Sequence, residues 1–129
     1  MAQIYAGKHL SHYAQVVLVD ASTDYAIPEW DTSAGANELF VADSSGLAIA
    51  TASNTKIEIF VCTDVLDVAS NLSKIGECDI MVGGSGIIVG DFTTNSTAEI
   101  PYCSGSVHIS IYTNNIDSQQ VTTVALLMK

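Results

Sequence analysis

Residues 56–63, KIEIFVCT, form the clearest strand pattern in the sequence. Apolar side chains recur at every second position of this segment, which is the period of a β-strand. Ile57, Ile59 and Val61 would share one face, and β-branched residues favour extended backbone. Phe60 and Cys62 make the opposite face partly apolar as well. The pattern therefore predicts a central strand that is covered on both sides.

Further segments of this kind occur at short spacing before and after it. The other predicted strands are residues 13–20, 38–42, 47–51, 79–82, 87–89, 98–101, 107–112 and 121–128. Turn-forming sequences separate them, including residues 43–46 and the glycine-rich residues 83–86, which we interpret as a hairpin turn. No βα pattern repeats. The sequence therefore predicts an all-β fold, an antiparallel β-sandwich of about eight to ten short strands that forms a single domain over residues 1–129.

Two segments leave alternatives open. Residues 64–75 alone have helix-like spacing of apolar side chains, and they predict either one short, weak helix or a long connection between sheets. Residues 121–128 form an apolar final strand. An exposed edge at this strand would offer a contact for a homodimer.

Acidic residues dominate the charged side chains. Fourteen Asp and Glu residues stand against four lysines, and the formal net charge is −10 at pH 7. Nucleic acids and anionic membranes need several cations on their protein partner, so we expect direct binding to neither. A basic protein, or a cation, is the electrostatically favoured partner. The alternative is that the acidity only keeps the protein soluble.

The cysteines and the N-terminal sequence bear on the compartment. Cys62, Cys78 and Cys103 are odd in number and lack C-x-x-C spacing, which argues against a disulfide framework or a zinc site. The first residues have no basic segment followed by an apolar one, and no apolar run reaches the length of a membrane helix. We expect a cytoplasmic protein.

Motifs for catalysis or cofactor binding are weak. His9 and His12 form H-x-x-H, but in extended chain this spacing directs the two rings to opposite faces, so we expect no metal site. The glycines of residues 83–86 lack the lysine and the helix of a phosphate-binding loop. His108 lies at an outward position of an alternating strand. The sequence predicts a protein without enzymatic activity, catalytic residues or cofactors.

Several segments, in chain order, resemble the competence protein J family, which inhibits a DNA-entry nuclease. They are residues 10–13 (LSHY), Pro28 and Trp30 with an acidic residue after them, residues 40–43 (FVAD) leading to Gly46, residues 54–56 (NTK), residues 86–89 (GIIV), and Ile100, Pro101 and Gly105 before the strand at 107–111. The likeness extends over roughly residues 10–114.

This resemblance implies an acidic inhibitor of a nuclease, of the competence type or a toxin immunity protein, that occupies a basic, metal-containing cleft. The implied partner is a basic protein, a nuclease or a toxin. Trp30 is either a core residue or, beside two carboxylates, an exposed anchor. As candidate partner-binding residues we take Asp24, Glu29, Trp30, Asp31 and Asp43.

Two further classes remain open. One is a structural or adhesion β-sandwich of a phage particle or surface assembly, which the content of Ala, Ser, Thr and Asn favours. The other is a small enzyme or ligand-binding sandwich.

Overall fold

The computed structural model describes residues 3–11, 14–21, 39–44, 46–63, 72–84, 86–91, 96–102 and 104–128. Ten strands lie within these ranges: β1 Gln3–Ser11, β2 Gln15–Asp20, β3 Phe40–Ala42, β4 Gly46–Ala50, β5 Thr55–Thr63, β6 Ser73–Val82, β7 Ile87–Asp91, β8 Ser96–Ile100, β9 Gly105–Thr113 and β10 Thr123–Met128. A 3₁₀ helix at Ser118–Gln120 precedes β10. The predicted all-β fold is confirmed.

The strands form two sheets of five. Sheet 1 has the order β1-β5-β10-β9-β6, and sheet 2 has the order β3-β4-β2-β7-β8. Every pairing is antiparallel except that of β5 with β10, which is parallel. The two sheets share one apolar core, to which Leu18 and Leu47 contribute from sheet 2 and Ile59 and Leu126 from sheet 1.

The strand at residues 56–63 is central, as predicted. Ile57, Ile59 and Val61 are at most 1% exposed and face the core, and Cys62 on the opposite face is buried as well. β1 and β10 flank this strand on its two sides. Coverage on both faces and pairing on both edges explain why its sequence is apolar at nearly every position.

The last strand is not an edge, and that expectation is wrong. β10 lies between β9 and β5, with a hydrogen-bonded neighbour on each side. All five residues from Val124 to Met128 are buried, which is the pattern of an inner strand and not of an edge.

The glycine-rich residues do not form a hairpin between neighbouring strands. They connect β6 of sheet 1 to β7 of sheet 2, so the predicted hairpin is wrong. The buried carboxylate of Asp20 fixes this crossing, since its Oδ1 accepts the Gly83 N–H at 3.1 Å. Ala21 N–H also donates to the Gly86 carbonyl at 3.0 Å.

Two other local outcomes differ from the sequence pattern. The first strand, β1, was not predicted, because its core-facing side carries Gly7, His9 and Ser11 in place of a regular apolar series. The helix-like segment is divided: residues 73–75 belong to β6, and residues 64–71 lie outside the described residues.

Gly90 and Gly105 give a matched test of a close approach between strands. Both have φ +131°, but a Cβ on Gly90 would lie 2.1 Å from the Ser96 carbonyl oxygen, whereas a Cβ on Gly105 would meet nothing within 4 Å. Both alanine variants would have to adopt the same positive φ, which strains an L-residue. We expect Gly90→Ala to lower the free energy of unfolding by about 1–3 kcal/mol more than Gly105→Ala, because only the former overpacks. Urea denaturation measures both, and equal losses would contradict the clash.

Candidate functional site

Asp43 is the predicted partner-binding residue that falls within the described residues. It opens the turn from β3 to β4, where its Oδ1 accepts the Gly46 N–H at 3.0 Å and its own N–H donates to the Gly46 carbonyl at 2.9 Å. Both bonds close the predicted turn and hold Asp43 on an exposed loop. Asp24, Glu29, Trp30 and Asp31 lie outside the described residues.

The Asp43 turn lies against the edge of the other sheet. The carbonyl of Ser44, next to Asp43, accepts the Met81 N–H of β6 at 2.8 Å. Gly76 of the same strand leaves room for Phe40, because a Cβ at Gly76 would lie 2.2 Å from Cε1 of that ring. Edge strands β3 and β6 therefore meet, and the turn is placed beside the edge of β6 at Met81.

That outer face carries charged side chains. The alternation of β6 turns Cys78, Ile80 and Val82 towards the core and Glu77, Asp79 and Met81 away from it. Asp79 lies opposite His108 of β9 in the antiparallel register. The strand period and the cross-strand register thus bring residues distant in sequence together.

The charged groups are linked in a row. The Asp79 Oδ1 is 2.8 Å from His108 Nδ1, and the Glu77 Oε2 is 3.4 Å from His108 Nε2. The same Glu77 oxygen accepts a hydrogen bond from Lys74 Nζ at 2.6 Å. His108 therefore stands between two carboxylates, one of which is shared with a lysine.

This arrangement shifts the ionisation of its members. The hydrogen bond that His108 donates to Asp79, followed by that to Glu77, raises the pKa of His108 above 6.5. The hydrogen bond that Lys74 donates to Glu77 lowers the pKa of Glu77 and raises the pKa of Lys74. Exposed pairs of this kind contribute little to stability, and salt screens them.

Met81 adds an apolar group to the same face. Its side chain is 55% exposed, although Ile80 and Val82 beside it are buried. We define the β6 surface as Glu77, Asp79 and Met81 of β6, with His108 of β9 and the adjoining Asp43. Sequence reasoning did not find it because residues 80–82 read as an unbroken apolar run. The alternation from Glu77 onward was the available signal.

His9 has a structural role that its motif does not suggest. It is 5% exposed, and its Nδ1 donates to the Ser96 carbonyl at 2.8 Å, which ties β1 to β8 of the other sheet. The remaining nitrogen, Nε2, accepts the Tyr5 hydroxyl at 2.5 Å. Both ring nitrogens are occupied within the protein.

The other described features offer no sign of a reaction centre. Across the described residues, no group of three or more His, Cys, Asp or Glu side chains is arranged to hold a metal ion. A cavity of about 380 Å³ at one end of the sandwich is lined by residues without ionisable side chains: Ala14, Thr51, Ala52, Ser53, Gln119 and Gln120. Burial raises the pKa of the free Cys78 thiol to about 11, which makes it a poor nucleophile.

No helix within the described ranges has both the length and the apolar character needed to cross a membrane.

The fold is one that known proteins share. No protein-family model and no curated protein matches the sequence. The crystal structure of ComJ, inhibitor of the DNA degrading activity of NucA, from Bacillus subtilis, has a TM-score of 0.73 and 13% identity over 99% of this chain and 97% of that chain. The protein described as crocagin biosynthetic gene J has a TM-score of 0.56 and 6% identity over 99% and 96%.

The chain is therefore a β-sandwich with the fold of ComJ. The resemblance to the competence protein J family is confirmed at the level of the fold. At this identity the likeness concerns backbone architecture, so no residue of either neighbour identifies a functional side chain in this chain.

The hydrogen bond between Tyr5 and the buried His9 gives a second test. Tyr5→Phe removes the donor to His9 Nε2 and leaves a buried acceptor unpaired, so we expect the free energy of unfolding to fall by about 1–2 kcal/mol. Tyr112→Phe, on the outer face of β9, is the matched control and should change it less. Urea denaturation of both variants measures the difference. An equal loss of stability in the two variants would contradict a structural role for the Tyr5–His9 hydrogen bond.

The ionisation of His108 can be measured directly. We expect its NMR titration midpoint to lie above 6.5 and to fall more in Asp79→Asn than in Glu77→Gln, because the bond to Asp79 is the larger cause. A histidine with a raised folded-state pKa adds stability below its unfolded pKa, and this contribution disappears as the pH rises through the folded value. Wild type should thus exceed His108→Gln in stability only at acidic pH. A midpoint below 6.5 would contradict the ion-paired arrangement.

Proposed function

We propose that this chain is a protein inhibitor of a nuclease, either a competence-type inhibitor of a DNA-entry nuclease or a toxin immunity protein. The observation that carries the proposal is the likeness in fold to ComJ, an inhibitor of a DNA-degrading nuclease, over nearly the whole length of both chains. The acidity of the chain supports it independently, because a protein that grips DNA presents a basic surface.

The proposed mechanism is occupation of the nuclease cleft. A chain with a formal charge of −10 would approach a basic surface quickly, and its carboxylates would take positions that DNA phosphates otherwise fill. A carboxylate is also a suitable ligand for a divalent metal in such a cleft. We propose that Asp24, Glu29, Trp30, Asp31 and Asp43 take part in this contact.

The remaining parts of the proposal concern the protein in its setting. We propose that it acts in the cytoplasm as a single domain, without catalytic activity and without direct binding to nucleic acid or membrane. The free thiols of Cys62 and Cys78 agree with a reducing compartment. A homodimer would need an edge strand other than β10, and β1 and β6 are the edges of sheet 1.

The alternative function is that of a structural or adhesion β-sandwich of a phage particle or surface assembly. It requires self-association. Recovery of the pure protein as a large assembly on a sizing column, with no protein partner in lysate, would favour it over the inhibitor.

The inhibitor function can be tested with purified components. The tagged chain is used to capture partners from lysate of its source organism at low and moderate salt, and the captured nuclease is then purified and mixed with plasmid DNA. We expect stoichiometric amounts of the chain to stop digestion, and salt to weaken capture because the encounter is electrostatic.

A control separates specific inhibition from removal of metal by an acidic protein. Poly-glutamate of equal total charge should leave digestion unchanged, and tenfold more Mg²⁺ should not relieve the inhibition by the chain. Undiminished digestion at stoichiometric excess of the chain, with every captured nuclease, would refute the proposed function.

A further inference from the structure

We infer that the β6 surface is a docking site for the basic protein that this chain meets, with Met81 as its apolar anchor and the neighbouring carboxylates as its acidic rim. This inference rests on the proposed function and adds the place of contact.

The composition of the β6 surface fits a protein interface. Such interfaces combine an apolar centre with a polar rim, and a few anchors supply most of the binding energy. Met81 is 55% exposed between the side chains of Asp79 and the Asp43 turn, and Asp79 is itself 69% exposed. Methionine is flexible and polarisable, so it adapts to an apolar depression on another protein.

The position of Met81 is fixed before any partner arrives. Its N–H is bound to the Ser44 carbonyl, and its strand is paired with β9 along nine register positions from Ser73 to Val82. A side chain on a rigid strand loses less conformational entropy on binding than one on a mobile loop.

Charge complementarity selects this surface among the exposed apolar residues of the described chain. Ile4 and Leu10 lie on the face of β1 that carries Lys8, and Leu10 lies opposite Lys56 of β5, so this face holds two lysines against one carboxylate, Glu58. Ile116 is 75% exposed but adjoins one carboxylate, Asp117. Met81 differs from them because Asp79 lies two residues away on its strand, Glu77 lies two residues further, and Asp43 lies in the adjoining turn.

His108 makes the acidity of this surface depend on pH. The groups that face it are Asp79 and Glu77 of β6, with Lys74 attached to Glu77. The described part of β10, on the other side of β9, brings only Thr123, Ala125 and Leu127 to this face, and none of them titrates. Tyr112 of β9 lies opposite Lys74.

Protonation of His108 adds one positive charge beside the two carboxylates, so association with a basic partner should slow as the pH falls.

The test uses the nuclease that the wild-type chain inhibits, with binding kinetics measured on the immobilised full chain at low and moderate salt. Met81→Ser should raise Kd by about tenfold or more, mainly through faster dissociation. The double variant Glu77→Gln/Asp79→Asn should lower the association rate by about threefold or more at low salt, with a smaller effect at moderate salt.

Matched controls lie elsewhere on the protein. Ile116→Ser removes an exposed apolar side chain at another position, and Glu99→Gln/Asp117→Asn changes the net charge equally. Both should bind within about twofold of wild type, since rim and distant positions contribute little. Between pH 8 and pH 5.5 the association rate of wild type should fall more than that of His108→Gln. Circular dichroism verifies that each variant is folded.

The outcomes distinguish the inference from the function on which it rests. If wild type inhibits the nuclease but the β6 variants bind like their controls, the docking site is overturned and the inhibitor function stands. If wild type inhibits no nuclease, the proposed function fails first and the docking site fails with it.

Discussion

The parallel pairing of β5 with β10 is the contact on which the rest of sheet 1 depends. Without it, β1 and β5 would be separated from β9 and β6, because β10 is the strand that joins the two pairs. The core side of this middle strand is formed by Val124, Leu126 and Met128. The pairing connects residues 65 positions apart in sequence, so much chain entropy is lost before the contact forms. Long-range pairing of this kind is slow to form.

The β6 surface is a consequence of that order. β10 positions β9, and β9 positions β6 through a register that sets Asp79 opposite His108. The turn at Asp43 then reaches β6 from sheet 2 through the hydrogen bond between Ser44 and Met81. Glu77, Asp79, Met81 and His108 therefore share a surface once β6 pairs with β9, and Asp43 joins them only when both sheets have formed.

Local pattern predicts much of this fold and little of its connectivity. The alternation at residues 56–63 and 107–112 identified strands correctly, since burial of one face imposes a period of two. The prediction of a hairpin at residues 83–86 was wrong, because turn-forming residues indicate where the chain bends but not which sheet the next strand joins. β1 was missed because His9 and Ser11 face inward, paired by hydrogen bonds that no sequence pattern displays. The candidate surface was missed for the same reason, because recognising it requires the register of β6 against β9, which the sequence pattern does not show.

Net charge indicates the kind of partner but not where it binds. Fourteen acidic residues distributed over a small chain attract a basic protein from many directions, and long-range attraction sets the encounter rate. A long-lived complex requires an apolar contact from which water is excluded, at one defined position on the surface. Lys74 also offsets Glu77 locally, so the number of carboxylates overstates the negative charge at this face. An exposed methionine on a rigid edge strand is therefore the more discriminating feature, and the surrounding carboxylates determine which sign of surface can approach it.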